Sequence, residues 1–454
     1  MHYSMFALLS GLAVWVAQAE MVVAAGAPKP NVLIILTDDQ GRGDYSAFGT
    51  ADLRTPNMDR LFREGMTFEN FFANSCVCSP TRAALLTGCY PDRVGVPGVI
   101  REEDPRDSWG WLSPRARLLP QSLKASGYHT ALVGKWHLGL TTPNTPTERG
   151  FDFFHGFLGD MMDDYWTHLR HDQNFMRRNL EVITPSGHAT DLFTQWACAH
   201  LEERARAGGP FFLYLAYNAP HDPIQPPPAW VDKVTQRQPG ISEKRARLVA
   251  LIEHLDAGIG QVLDTLDRTG LATNTLVVFT SDNGGVLRNG ANNGPWRSEK
   301  GHVYEGGLRV PAAARWPGVI APGSRTERIT LTMDLFATAC AAAGAEPPKG
   351  CDAVSFLPTL RGQPEPVSAR DFYFVRREGG LAYGGKTIEA YRRGDWKILQ
   401  DNPFAPLELY NMKMDPHETN DLAAQRRGIF NQMATALRAQ VQRAGQGPWQ
   451  APGD

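Results

Sequence analysis

The sequence predicts an α/β fold: a large, mixed but mostly parallel sheet sandwiched by helices, with a smaller C-terminal α+β subdomain. Three observations predict it. Short apolar runs alternate with helical patterns along most of the chain, the signature of a sheet covered on both faces. The clearest runs, Asn31–Leu36, Thr130–Val133, Phe211–Ala216 and Thr275–Thr280, are nearly continuous in apolar residues, as strands buried on both sides must be. After about Pro364 the pattern changes to short runs and a terminal helix.

Taken in order, the chain opens on an apolar run, Phe6–Val16, followed by Ala17-Gln18-Ala19. A run of that length is too short to span a bilayer, and small-x-small is a cleavage pattern. Residues 1–19 therefore read as a signal peptide, with cleavage between 19 and 27, although no Lys or Arg precedes the apolar run. Residues 28–363 read as the catalytic domain and 364–454 as the C-terminal subdomain. A helix should start near Pro80, with Ser79 as its cap and Pro80 in its first position. Lys244–Arg268 is the clearest helix: Leu248, Leu251, Leu255, Ile259, Val262 and Leu266 form one stripe, and Gly270 closes it. In the subdomain, Asp371–Val375, Trp396–Leu399 and Leu407–Tyr410 read as antiparallel strands, and Arg427–Gln442 as a helix.

Composition is ordinary for a globular chain: 454 residues, 42% hydrophobic, 21% charged. A formal net charge of -2 excludes a broad basic field for nucleic acid. No later stretch is long and apolar enough to span a membrane. Six cysteines are present, and Cys340 with Cys351, flanking a Gly/Pro loop, is the most plausible pair.

Polar residues follow each major strand. Asn31–Leu36 runs into Asp38 and Asp39, Thr130–Val133 into Lys135 and His137, Phe211–Ala216 into His221, and Thr275–Thr280 into Asp282 and Asn283. Ligands of open α/β sheets bind beyond the carboxyl ends of the strands. One such coincidence would be a turn or a helix cap; four argue for one assembled site. Asp38, Asp39, Asp282 and Asn283 are oxygen ligands, suited to a hard divalent cation, whereas zinc favours nitrogen or sulfur. Cys78 falls just ahead of the helix near Pro80, where the N-terminal N–H groups favour an anion. Arg82 lies one turn on.

These residues carry a family resemblance. Cys78-Ser79-Pro80-Thr81-Arg82, continued by Ala83-Ala84-Leu85-Leu86-Thr87-Gly88, resembles the Cys-x-Pro-x-Arg signature of the type I, formylglycine-dependent sulfatases, arylsulfatase-like members of the alkaline phosphatase superfamily. Gly134-Lys135-Trp136-His137-Leu138-Gly139 resembles the second signature. Asn31–Gln40, Tyr217–His221, Lys300-Gly301 with Glu305–Pro311, and Leu409–Leu422 resemble four further family segments. One departure is Arg42, where an aromatic is more usual, with a bearing on pocket shape.

The resemblance implies a sulfuric ester hydrolase acting on a sulfated carbohydrate or an aryl sulfate. Cys78 would be converted by a maturation enzyme to formylglycine, hydrated to a gem-diol. Asp38, Asp39, Asp282 and Asn283, with Cys78, would hold Ca2+, Mg2+ being the alternative. Lys300 and His221 would serve the leaving group, Lys135 and Arg82 the anionic oxygens, and His137 would take a proton during sulfate release. Export to the periplasm, the exterior or, in a eukaryote, the lysosome would follow. Two rivals share these features: a phosphate or phosphonate monoester hydrolase of the same superfold, and a sulfated-glycan binder in which Cys78 stays a thiol. The segment 159–178, rich in Asp, His, Arg and aromatics, offers Asp163, Asp164, Trp166 and His168 as sugar contacts, against a plain surface loop.

Overall fold

The computed structural model describes residues 28–101, 108–364, 370–378, 385–445 and 447–450. The signal peptide expected over 1–19 lies outside the described residues.

A ten-stranded sheet forms the core. Its order is Ser324–Leu331, Met66–Phe72, Ala312–Arg315, Thr275–Ser281, Asn31–Thr37, Phe211–Ala216, His129–Lys135, Phe153–Phe157, Met176–Arg178 and Glu181–Val182. The strands from Thr275–Ser281 to Phe153–Phe157 run parallel to their neighbours. Antiparallel pairs flank this block on both sides. Asn31–Thr37 is central and buried at every position, so helices cover both of its faces.

Register brings the strand ends together. Leu36 pairs with Ala216 on one side and Thr280 on the other, and Gly134 pairs with Ala216. The residues just beyond these pairs are those expected at the site. Backbone bonds close the edge: Asp282 N–H donates to Thr37 O at 3.1 Å and Asp38 N–H to Ala219 O at 3.2 Å. Gly134 is essential here. Its φ is +104°, and an added Cβ would stand 1.9 Å from Ala216 O.

The long helix runs Glu243–Arg268. The Ser242 hydroxyl accepts the Arg245 N–H, and Gly270, φ +75°, follows the last turn. All six residues of the predicted stripe are buried. The helix near Pro80 starts earlier than expected. It spans Cys78–Thr87, with Val77 as the capping residue, so Cys78 opens it and Pro80 sits third. Proline is tolerated there because first-turn N–H groups have no partner within the helix. Ser79, freed from capping, accepts the Ile100 N–H and bonds His137.

The C-terminal sheet is four-stranded and antiparallel, in the order Asp371–Glu378, Lys386–Arg393, Trp396–Gln400, Glu408–Asn411. Helix Arg427–Ala444 buries Met433 and Leu437. Phe374, Ile398 and Leu409 of this sheet share one apolar cluster with Phe72, Tyr304 and Leu308 of the larger unit. The subdomain is therefore docked through a common core.

Cysteine pairing differs from the expectation. All six cysteines are free, and Cys351 is not bonded to Cys340. Its thiol donates to Gly88 O at 3.1 Å and bonds the Cys89 thiol. The reason is local: Asp352 and Ala353 N–H both bind Gly88 O at 2.9 Å, which draws this segment to the end of the Cys78 helix. Among the described residues no helix is long and apolar enough to cross a membrane.

Candidate active site

Asp38, Asp39 and Asp282 offer carboxylate oxygens that all lie within 4.8 Å of one another. One calcium ion, at roughly 2.3–2.6 Å from each ligand, can bridge such a set. Two oxygens ask for a partner. Asp38 Oδ1 and Asn283 Oδ1 are buried, yet neither has a hydrogen bond. Orphaned buried oxygens are rare unless water or an ion completes them. The donor set is all oxygen, so the residues fit a hard divalent cation. Asn283 is oriented by its amide, whose Nδ2 donates to Asp39 Oδ1 at 2.8 Å.

Three cations surround the cluster. Arg82 Nη2 reaches Asp282 Oδ2 at 2.8 Å and Asp38 Oδ2 at 3.2 Å. Lys135 Nζ donates to Asp38 Oδ2, and Lys300 Nζ to Asp39 Oδ2 at 2.7 Å. Burial alone would raise the Asp38 carboxyl, but Lys135, with His221, Arg82 and Lys300, outweighs it and holds Asp38 far below the usual carboxylate range. Asp282 is pushed up, by burial and by the neighbouring Asp38 charge.

Cys78 stands at the edge of this cluster. Its sulfur, an Asp38 oxygen and a His221 nitrogen also lie within 4.8 Å of one another. Burial pushes the Cys78 thiol up, against the pull of Lys135 and Lys300. As a thiol it is therefore a weak nucleophile at neutral pH.

Both histidines have assignable tautomers, because a backbone carbonyl can only accept. His221 Nδ1 lies 2.8 Å from Asp222 O and carries the proton, so Nε2 accepts from Lys300 Nζ at 3.0 Å. His137 Nε2 lies 3.0 Å from Ile100 O and 2.8 Å from Ser79 Oγ, which leaves Nδ1 without a partner. Burial, then the Lys135 and Arg82 cations, push His137 well below its ordinary value, so it is neutral. Asp39 and His137 both hold left-handed backbone, φ 62° and 55°. Strain of this kind persists where the surroundings over-determine a residue, as at functional sites.

A cavity of about 400 Å³ opens above these groups. Cys78, His137, His221 and Lys300 line it. Arg82, Lys135, Asp38, Asp39, Asp282 and Asn283 are not among its lining residues; they sit beneath. The polar part of the walls comes from Arg101, Asp160, Arg288, Glu299, His302 and Arg376, and of these only Asp160 lies in a segment, 159–178, that the sequence singles out for the pocket. Arg376 belongs to the C-terminal sheet, so its presence depends on how that sheet docks.

The segment offered for sugar contacts contributes differently. Asp160 and Met161 line the cavity, while Asp163, Asp164, Trp166 and His168 do not. Asp163 accepts from Arg170 at 2.7 Å and from the His171 N–H at 2.6 Å. Asp164 accepts the Trp166 and Thr167 N–H groups at 2.8 and 2.7 Å. His168 is buried and bonded to Gly187 O at 2.9 Å, and Trp166 is half-exposed against His188. These side chains build their own loop. Arg42 bonds Glu69, stacks on Phe48 and lines a separate cleft with Thr50 and Trp296, so its departure does not shape the Cys78 cavity. A further cluster, His188, Asp191 and His254, is accounted for by a helix cap and a 2.7 Å His254–Asp191 bond.

A family model described as sulfatase matches residues 30–345, and one described as N-sulphoglucosamine sulphohydrolase, C-terminal, matches residues 296–446. N-acetylgalactosamine-6-sulfatase of Mus musculus is 34% identical over 399 residues, covering 83% of this chain and 73% of the relative. Steryl-sulfatase of Rattus norvegicus is 33% identical, covering 80% and 76%. The crystal structure of Ps i-CgsB in complex with k-i-k-neocarrahexaose superposes with a TM-score of 0.84 at 29% identity, over 92% of this chain and 94% of that one. The chain belongs to the sulfatase family of the alkaline phosphatase superfamily and is an enzyme that hydrolyses sulfate esters.

Proposed function

We propose that the protein removes sulfate from a carbohydrate, with Cys78 acting as formylglycine beside a calcium ion held by Asp38, Asp39, Asp282 and Asn283. The observation that carries this reading is the placing of Cys78: it opens a buried helix, lines the cavity and lies within 4.8 Å of Asp38 and His221 ligand atoms. Formylglycine supplies a geminal diol, one hydroxyl to attack sulfur and a second to open a route for sulfate release. A cation held by Asp38, Asp39, Asp282 and Asn283 would supply positive charge to the sulfate oxygens and to the attacking hydroxyl.

The remaining steps belong to side chains of this chain. Lys300, raised by Asp39 against the effect of burial, stays protonated on the cavity wall. Held by the acceptor Nε2 of His221, it meets the developing negative charge on the leaving oxygen. His137, neutral and with Nδ1 unpartnered, is the base for the second proton. Arg82 and Lys135 neutralise the carboxylates beneath and keep the site positive enough for an anion.

Carbohydrate is preferred over sterol because the cavity walls present Arg, Asp, Glu and His groups that suit a hydroxyl-rich ring. Two of the three similar proteins point the same way by name, an N-acetylgalactosamine-6-sulfatase and a complex with a neocarrahexaose, and the steryl-sulfatase points to a sterol. Export and a separate maturation enzyme complete the reading, supported by the N-terminal apolar run and by Cys78-x-Pro80-x-Arg82. Peptide mass spectrometry of protein from its own host tests the modification. Conversion lowers the Cys78 peptide by about 18 Da; a full-mass thiol peptide in active enzyme overturns the reading.

A further inference from the structure

Lys300 has to hold its ammonium 2.7 Å from Asp39 and 3.0 Å from His221. Two backbone bonds tie its neighbourhood to the catalytic unit: Lys300 N–H to Gly285 O at 3.2 Å and Gly301 N–H to Cys76 O at 2.8 Å. The anchors just beyond come from the C-terminal sheet. Asp401 follows the Trp396–Gln400 strand directly. Its Oδ2 accepts from His302 Nδ1 at 2.6 Å and its Oδ1 accepts the Val303 N–H at 2.8 Å. One carboxylate thus grips two consecutive residues, the nearer of them two positions from Lys300.

The same strand supplies a second anchor. Lys397 is completely buried. Its Nζ donates to Glu305 Oε1 at 3.0 Å and to Glu418 Oε1 at 2.6 Å. Glu418 Oε2 in turn accepts the Glu305 N–H at 2.8 Å. A buried ammonium survives only when paired, so this contact is specific and costly to break. Gly301 shows how tight the loop is. Its φ is +86°, and an added Cβ would stand 2.7 Å from Arg376 Nη1, which donates to Gly301 O at 3.3 Å.

We propose that Asp401 is a positioning residue for sulfate ester hydrolysis. It acts through His302 and Val303 to place Lys300 on the leaving-group side of the cavity, and the Lys397–Glu418 pair fixes the far end of the segment. The C-terminal subdomain is thereby a working part of the site. The proposal rests on the reading of Lys300 as a group that serves the departing oxygen.

Leaving-group dependence tests it. The mature enzyme and its Lys300→Ala, Asp401→Ala and Asp401→Asn variants are assayed on aryl sulfates from 4-nitrophenyl, a good leaving group, to phenyl, a poor one. A misplaced Lys300 matters most where the departing oxygen needs most help. Asp401→Ala should lose roughly tenfold or more in kcat on phenyl sulfate and less than about threefold on 4-nitrophenyl sulfate. Asp401→Asn, which retains the volume and one acceptor, should fall between it and wild type, and it covers the case in which Asp401→Ala does not fold. Lys300→Ala should show the same bias more strongly. The ratio of the two rates does not depend on how much enzyme is folded, so a merely structural role leaves it unchanged. An unchanged ratio in both Asp401 variants beside a shifted ratio in Lys300→Ala overturns the positioning proposal alone. An unchanged ratio in Lys300→Ala overturns the reading of Lys300, and the proposal with it.

Discussion

Lys300 donates to His221 Nε2 at 3.0 Å while its ammonium also rests 2.7 Å from Asp39. The three residues come from three separate parts of the chain, yet they form one hydrogen-bonded line from the carboxylate cluster into the cavity. His221 Nδ1 is committed to Asp222 O at 2.8 Å, so the ring cannot turn without losing a bond. An ammonium aimed by a fixed imidazole can stabilise and protonate a leaving oxygen.

Replacing His221 with Ala should therefore reduce kcat by roughly 10²- to 10⁴-fold on a poor leaving group. KM should change little, because the ring aims Lys300 at charge that develops only in the transition state. Steady-state kinetics on the same substrate would show otherwise if KM rose and kcat held.

Chelation should remove activity and lower thermal stability together. The orphaned Asp38 Oδ1 and Asn283 Oδ1 are the groups that an ion would satisfy. At a free ion concentration of about 100 times Kd the gain is about 2.7 kcal/mol. Thermal unfolding before and after chelation, then with Ca2+ or Mg2+ restored, measures this and ranks the two ions. Asp282→Ala should abolish the ion-dependent rise in Tm; an undiminished rise would count against the assigned ligands.

Cys78→Ser provides one hydroxyl where a geminal diol provides two. The variant should lose multiple turnover, and with a good leaving group it should accumulate a sulfated serine peptide. Rapid-quench mass spectrometry reads this directly. Sustained turnover at the wild-type rate would falsify the formylglycine assignment.

Two buried histidines should subtract from stability on acidification through a defined window. Burial holds His188 at about 4, with His254 adding to the effect, and it holds His200 at about 4, with His129 adding. In the unfolded chain both titrate near about 6.5. Between these values the unfolded state binds protons that the folded state refuses. Their contribution is therefore full above about 6.5 and declines as pH drops toward 4, opposed by Asp44, Asp256 and Asp282, which burial raises. His200 packs flat on Phe153, ring centroids 5.5 Å apart, and its Nε2 has no partner. His200→Phe should raise Tm relative to wild type progressively as pH drops toward 4; a curve parallel to wild type across the window rules out this origin.

Gly134→Ala should disrupt the sheet edge next to Lys135. The backbone conformation disfavours a side chain, and the new methyl would collide with Ala216 O, which belongs to a neighbouring central strand. We expect a loss of about 3 kcal/mol or more, or no soluble protein. Denaturant titration against wild type measures it.

Much of the site was legible because its elements are local. Asp38-Asp39, Lys135 with His137, His221, and Asp282-Asn283 each come after an apolar run, and the strands of one sheet deliver the residues at their carboxyl ends to one edge. The Lys244–Arg268 stripe was legible for the same reason, since helical period is written within one segment. Other features required distant partners. Cys78 opens its helix rather than preceding it, because Ser79 is drawn to Ile100 and His137. Asp163 and Asp164, offered as ligand contacts, bind backbone N–H groups and Arg170 of their own loop and do not line the cavity.

The sequence by itself determined the family, the α/β architecture and the residue types that gather at the strand ends. These arise from periodicity and from motifs that are continuous in the chain. Only the tertiary structure decided the rest. It placed Arg82 and Lys135 beneath the cavity, brought Arg376 onto its wall, set Cys89 against Cys351 and joined Asp401 to the residues after Lys300. The physical reason is range: a strand or helix is specified by neighbours a few residues away, whereas these contacts join residues up to hundreds of positions apart and exist only once two packed units share a core.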